Sequence, residues 1–193
     1  MPNFFGAFSN VSFGQQQELD KLKNLISKGK MDKAQAYCEK VTAGLSEKKA
    51  ARFYGYLALG YYNDKVYDKA AEAVLLSEDK KLAEKLAKEF DGKDNTMAGK
   101  LYVKAEQFEK GADLLFNESK YDEAAKISPS PTANMKYGDA LFDKGMIDEA
   151  MMFYKKAKVK GEKFENDKIL NYLYQKKDYN TVYKLQNYLE GDF

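Results

Sequence analysis

Along most of this chain, small and apolar residues return at three- and four-residue steps. Ala150, Phe153, Tyr154 and Ala157 form one such series, and Ala70, Ala73, Val74 and Ser77 form another. Each marks one buried stripe on an α-helix. The alternating Val- and Thr-rich runs of half-buried strands do not occur. Ala, Leu, Lys, Glu, Gln and Met, all strong helix formers, fill most of the chain. Proline stands only at positions 2, 129 and 131, so residues 3–128 lack the strongest helix breaker. The pattern predicts an all-α fold. Its helices fall near 15–28, 31–44, 46–62, 67–77, 79–90, 94–106, 108–117, 120–127, 132–144, 147–160, 162–176 and 179–190, and they pair into six antiparallel hairpins.

A short phrase recurs at the start of alternate helices: an apolar or aromatic residue, usually an acidic one, another polar one, then Ala or Gly. It reads Met31-Asp32-Lys33-Ala34, Tyr67-Asp68-Lys69-Ala70, Phe108-Glu109-Lys110-Gly111, Tyr121-Asp122-Glu123-Ala124 and Ile147-Asp148-Glu149-Ala150, with Tyr179-Asn180-Thr181-Val182 as a degenerate sixth copy. Polar or glycine-containing breaks precede the copies, among them Lys28-Gly29-Lys30, Asn63-Asp64-Lys65 and Asp143-Lys144-Gly145. A turn followed by a helix start is implied. The acidic residue is expected to cap free N–H groups and complement the helix dipole, and the small residue to admit a neighbouring helix closely. The preceding helices set a small residue beside a bulky one and repeat the bulk a turn later. Leu57, Ala58, Tyr61 and Tyr62 do so, as do Tyr137, Gly138, Leu141 and Phe142.

On these residues the chain resembles the tetratricopeptide repeat family. In the copy at about 133–160, Tyr137, Gly138 and Leu141 are similar to the first-helix signature, and Ala150, Tyr154 and Ala157 to the second; a copy at about 50–77 carries Leu57, Ala58, Tyr61, Ala70 and Val74. The family's tryptophan and the proline after its second helix are absent. Its regular spacing is not kept either: Ala34, Ala70, Ala124, Ala150 and Val182 are separated by 36, 54, 26 and 32 residues. The broader description is a TPR-like α-solenoid with an irregular middle near 79–130. The resemblance implies a right-handed superhelix of stacked hairpins whose inner groove binds a peptide or a partner helix. Ser128-Pro129-Ser130-Pro131-Thr132 is the one proline-rich joint. It is not expected to divide domains, because a solenoid unit buries its stripe only against its neighbours.

Composition narrows the chemistry. With 44% hydrophobic residues, 15 Tyr and 12 Phe, the chain of 193 residues has enough apolar surface for a core despite a mean hydropathy of -0.67. It has no His, no Trp and a single Cys. That excludes His general bases, His or multi-Cys zinc sites, Cys-His nucleophiles and intramolecular disulfides. Cys38 reads as a packing residue. Glu118, Asp122 and Glu123 read as solvated helix faces. Asp91-Gly92-Lys93-Asp94-Asn95 lacks the ligand spacing and closing Glu of a calcium loop, and no glycine-rich phosphate cradle occurs. No metal, no cofactor and no enzymatic activity are therefore expected. Charges balance to +2, and only Arg52 among 32 basic residues is arginine. Binding to nucleic acid is accordingly not expected. No stretch is long and apolar enough to span a membrane, and residues 1–14 lack the basic start of a signal peptide. A cytoplasmic protein is the expectation, in keeping with the unpaired Cys38.

Two sets of binding residues follow. By the resemblance, the inner face of first helices lines the groove. That face carries Arg52, Tyr56, Leu59, Tyr62 and Asn63 in the second hairpin and Met135, Asp139 and Phe142 in the fifth, with Lys100 and Lys104 between them. Gly55 and Leu59, or Met135 and Asp139, stand where the family's carboxylate clamp needs polar cationic residues, so chaperone-tail binding is disfavoured. The second set is Phe4, Phe5, Phe8 and Phe13 in the charge-free segment 1–14. That segment reads as a cap over the repeat domain 15–193, or as an arm that docks a partner or touches a membrane weakly. The function expected is a non-enzymatic scaffold or adaptor that grips another protein. Single-stranded nucleic-acid binding by a Lys/Tyr surface is the alternative, and self-association through open solenoid ends is a further expectation.

Overall fold

The computed structural model describes residues 13–127 and 130–157, together with 177, 178, 180 and 183. Among them are ten α-helices and no strand: α1 (Phe13–Ser27), α2 (Met31–Thr42), α3 (Glu47–Asn63), α4 (Tyr67–Leu75), α5 (Lys80–Phe90), α6 (Asn95–Lys104), α7 (Phe108–Asn117), α8 (Tyr121–Ile127), α9 (Pro131–Asp143) and α10 (Ile147–Ala157). The chain is all-α there, with the described helix ends within about two residues of their predicted bounds; the end predicted for the tenth helix, at 160, lies outside the described residues. The expected helices over 162–176 and 179–190 fall outside the described residues, apart from 180 and 183.

One turn geometry recurs, and it places every copy of the phrase. Gly29, Lys65, Glu106, Ser119, Gly145 and Lys177 all have positive φ, between 57° and 75°, and each stands two residues before the residue that opens a copy. After α1 the Gly29 N–H bonds to the Ile26 carbonyl at 2.9 Å and the Lys30 N–H to the Leu25 carbonyl at 3.0 Å. After α3, Lys65 bonds back to Tyr62 and Val66 to Tyr61, and the same pair closes α6, α7 and α9. A left-handed residue thus reverses the chain and satisfies two orphan carbonyls. The next carbonyl already serves the following helix, as Ala34 donates to Lys30 and Ala70 to Val66. This economy corrects one expectation. Asp32 and Asp68 lie in the first turns of α2 and α4, yet neither helix has a side-chain cap hydrogen bond. Their carboxylates act only through charge and dipole, about 0.3–1 kcal/mol each. Side-chain caps start three helices that lack this turn: Asp79 accepts from the Leu82 N–H, Asp94 from Met97 and Ser130 from Ala133, whereas α3, which also lacks it, has no side-chain cap at Ser46.

The helices form two compact units that part between Gln107 and Phe108, and not at the proline joint. In the first, α3 packs against α1, α2 and α4, and α4 also against α5 and α6. Phe53, Leu19, Leu22, Leu86, Leu101 and Tyr102 fill its core. In the second, α7 meets α8, and α10 meets α8 and α9. Phe116, Tyr137 and Phe153 interlock there, with centroids at 4.5 Å for the stacked pair Phe116–Tyr137 and 5.6 and 5.3 Å for the two edge contacts. Substantial packing within each unit joins helices one or two apart in sequence, as in a helical repeat.

Small residues set how near the helices come. Ala34, Ala70, Ala124 and Ala150, the fourth position of their phrases, are wholly buried. A Cβ on Gly138 would fall 2.4–2.9 Å from the ring carbons of Tyr154. One on Gly55 would meet only Ser77 Cβ, at 3.7 Å.

Two sets of substitutions measure these constraints in denaturant melts. Lys65→Gly and Ser119→Gly, which relieve a Cβ in the left-handed region, are expected to stabilise by about 0.5–1 kcal/mol, whereas Gly145→Ala is expected to cost about 1 kcal/mol. Gly138→Ala, driven into a buried ring, is expected to lose about 1–2 kcal/mol net, while Gly55→Ala gains up to about 1 kcal/mol from helix propensity.

Candidate functional site

Residues 52, 56, 59 and 63 fall on one face of α3, because steps of four, three and four residues return to nearly the same angle. Arg52, Tyr56 and Leu59 are half-buried on that face and Asn63 is exposed. Tyr56 lies beneath the Lys23 ammonium of α1, 4.6 Å from its ring centroid. Tyr62 turns aside toward α4, where its ring tilts against Tyr67 at 5.7 Å. The expected α3 residues therefore form a strip with an aromatic edge, open along part of its length.

On α9, in the second unit, Met135 and Phe142 are half-buried against the aromatic core. Asp139 is exposed but engaged, for its carboxylate accepts the Tyr154 hydroxyl at 2.8 Å. Lys100 and Lys104 are half-buried on α6, and Lys104 does not join the α3 strip. Of the Phe-rich segment, Phe13 opens α1, while Phe4, Phe5 and Phe8 lie outside the described residues.

Lys104 instead lines a cleft on the other side of α3. Tyr54, Leu57 and Tyr61 point about 160° away from the expected strip at 100° per residue. They floor a trough between α2 and α4 of about 150 Å³, rimmed by Gln35, Glu39, Lys69 and Glu72. Lys69 crosses it, standing 5.4 Å over the Tyr61 ring and 3.9 Å from Asp32 of α2. Tyr54 and Leu76 continue into a wider cleft of about 500 Å³ at the start of α3, walled by Ala50, Ala51, Leu75 and Lys104. Leu76 is 57% exposed, the most open large apolar side chain among the described residues of the first unit. Its only trace in the sequence is a leucine out of step with the buried stripe of Ala70, Ala73, Val74 and Ser77.

Several titratable groups hold structure together. The Tyr61 hydroxyl donates to Gln35 at 2.6 Å; burial, then the carboxylates of Asp32 and Glu39, raise its pKa. Burial, with Glu39 adding to it, pushes the Cys38 thiol up to about 12, so the neutral thiol packs in the core. In the segment compared with a calcium loop, Asp94 caps α6, Asn95 accepts from the Gly92 N–H, and Asp91 accepts from the Tyr102 hydroxyl at 3.1 Å. Among the described residues no group of three or more His, Cys, Asp or Glu is placed to hold a metal ion, and no helix is long and apolar enough to cross a membrane.

The hydroxyls of Tyr137 and Tyr154 are raised above the ordinary phenol range, first by burial and then by donation to Asp113 and Asp139. A folded pKa above the unfolded value means that this stabilisation is complete below about pH 10 and is lost as pH rises beyond it. The unfolding free energy is expected to fall steeply above about pH 10, and less steeply in Tyr154→Phe and Tyr137→Phe, as melts at successive pH values will measure.

Comparison with protein-family models and with curated proteins finds no match to this chain.

Proposed function

We propose that the chain is a non-enzymatic, TPR-like scaffold, a right-handed stack of six hairpins that binds a peptide or amphipathic helix of a partner protein. The observation that supports this most is the α3 strip. Arg52, Tyr56, Leu59 and Asn63 share one helix face that the neighbouring helices leave partly open, although the residues between them are core. An aromatic and an aliphatic anchor beside polar neighbours is the composition that concentrates binding energy in a few side chains. On α9, Met135 and Phe142 supply the same type of edge in the second unit. The lack of His, the buried Cys38 and the engaged carboxylates leave no convergent set of acid, base and nucleophile among the described residues.

Cross-linking mass spectrometry in the native cell is expected to return a protein partner with contacts at Arg52, Tyr56 or Leu59. Tyr56→Ala with Leu59→Ala is expected to weaken that complex tenfold or more, about 1.4 kcal/mol or above, with little change in Tm. Reproducible turnover of a small molecule without any protein partner would overturn the proposal, as would tight, salt-sensitive binding to single-stranded nucleic acid.

A further inference from the structure

The trough between α2 and α4 gathers negative charge around an aromatic floor. Glu39 stands on its α2 wall and Glu72 on its α4 wall, both exposed, and Lys69 is the one basic residue lining it among those described. Asp32 adds a third carboxylate beside Lys69. All three are felt at the Tyr61 hydroxyl, whose pKa they raise in addition to burial. Three carboxylates around one ammonium leave a negative excess, which favours a cationic occupant.

The space suits one planar cation. The Tyr61 hydroxyl donates to Gln35 at 2.6 Å and the Gln35 side-chain amide donates to Glu39 at 3.0 Å, a relay that fixes one carboxylate at the rim. Glu72 joins no ion pair among the described residues. A cavity of about 150 Å³ takes one benzene, so the trough, of about 150 Å³, accepts the smaller guanidinium with the end of its stem. A guanidinium stacks on an aromatic face and offers a carboxylate two N–H groups at once, a geometry that an ammonium lacks.

A cation already rests there, and loosely. The Lys69 ammonium stands 5.4 Å over the Tyr61 ring, and its pair with Asp32 spans 3.9 Å with 47% and 98% of the two side chains exposed. A pair so long and so solvated holds a lysine weakly. Tyr61 is buried, so a second cation reaches its ring only by taking the place of Lys69.

We propose that the trough between α2 and α4 binds an arginine side chain of a partner protein, whose guanidinium displaces Lys69 from Tyr61 and pairs with Glu72 and Glu39. The inference rests on the scaffold reading only in taking a protein as the partner, and it uses the flank of α3 opposite the strip.

Titration of the full chain with a blocked glycyl-arginyl-glycine tripeptide, followed by the aromatic NMR signals of Tyr54 and Tyr61, tests it. The shifts are expected to saturate, and the citrulline counterpart, of the same shape without the charge, to bind about fivefold more weakly or worse. Glu39→Gln with Glu72→Gln, both at exposed positions, is expected to weaken the arginine peptide by about fivefold or more. Lys69→Met is expected to tighten it by about twofold or more, whereas Lys126→Met, which removes the same charge from the second unit, leaves it unchanged. Equal affinity for the two peptides would overturn the proposal, as would a Lys69→Met chain that binds no better than Lys126→Met. Tyr56→Ala with Leu59→Ala is expected to leave this titration unaltered, so that failure of the trough and failure of the strip are read separately.

Discussion

The near approach of neighbouring helices at small side chains is the constraint on which the rest of this structure depends. Ala34, Ala70, Ala124 and Ala150 have no exposed surface, and each donates its N–H to the residue four before it, the one that follows the left-handed residue of the turn. Because the turn spends only three residues between helices, the next helix must start close to the last one, and a small residue suits that approach. Gly138 applies the same rule from the other side, leaving its space to the Tyr154 ring. Dispersion contacts at this range are individually small and collectively large, so a single methyl group at the wrong position is felt across a hairpin.

The tyrosines are the second fastening. Their rings add apolar area to the core, while their hydroxyls need partners once buried. Those partners come from neighbouring helices: Tyr61 from α3 to Gln35 of α2, Tyr137 from α9 to Asp113 of α7, and Tyr37 from α2 to Glu18 of α1. Each bond ties a helix to one of its neighbours one or two places away in the sequence. The excess of Tyr in a chain without Trp is explained by this double use, packing and cross-linking, more simply than by stacking on a ligand.

The two sides of α3 differ in what they leave open. On one, Arg52, Tyr56, Leu59 and Asn63 present a partly covered strip beside α1. On the other, α2 and α4 flank a trough floored by the half-buried Tyr54 and the buried Leu57 and Tyr61. A helix that is core at Phe53, Ala58 and Gly60 and partly open on both remaining flanks is unusual for a buried element, and it makes α3 the organising rod of the first unit. Lys104, expected beside the strip, belongs instead with Leu76, because α6 packs against α4 on that flank.

The helices, their near bounds and the small residues at their crossings were determined by the sequence alone, because a helix closes its hydrogen bonds within four residues and its buried stripe repeats locally. The strip on α3 was legible for the same reason, being a matter of spacing on one helix. The shared turn was only half legible: Gly29 and Gly145 announce a left-handed residue, but Lys65, Glu106, Ser119 and Lys177 adopt it too, and the first three are held there by two backbone bonds that no side chain signals. Only the tertiary structure decided the division after Gln107 and the clefts beside Leu76. The wider cleft depends on how the end of α4 and Lys104 of α6 come to rest beside the first turns of α3, elements that are distant in the chain.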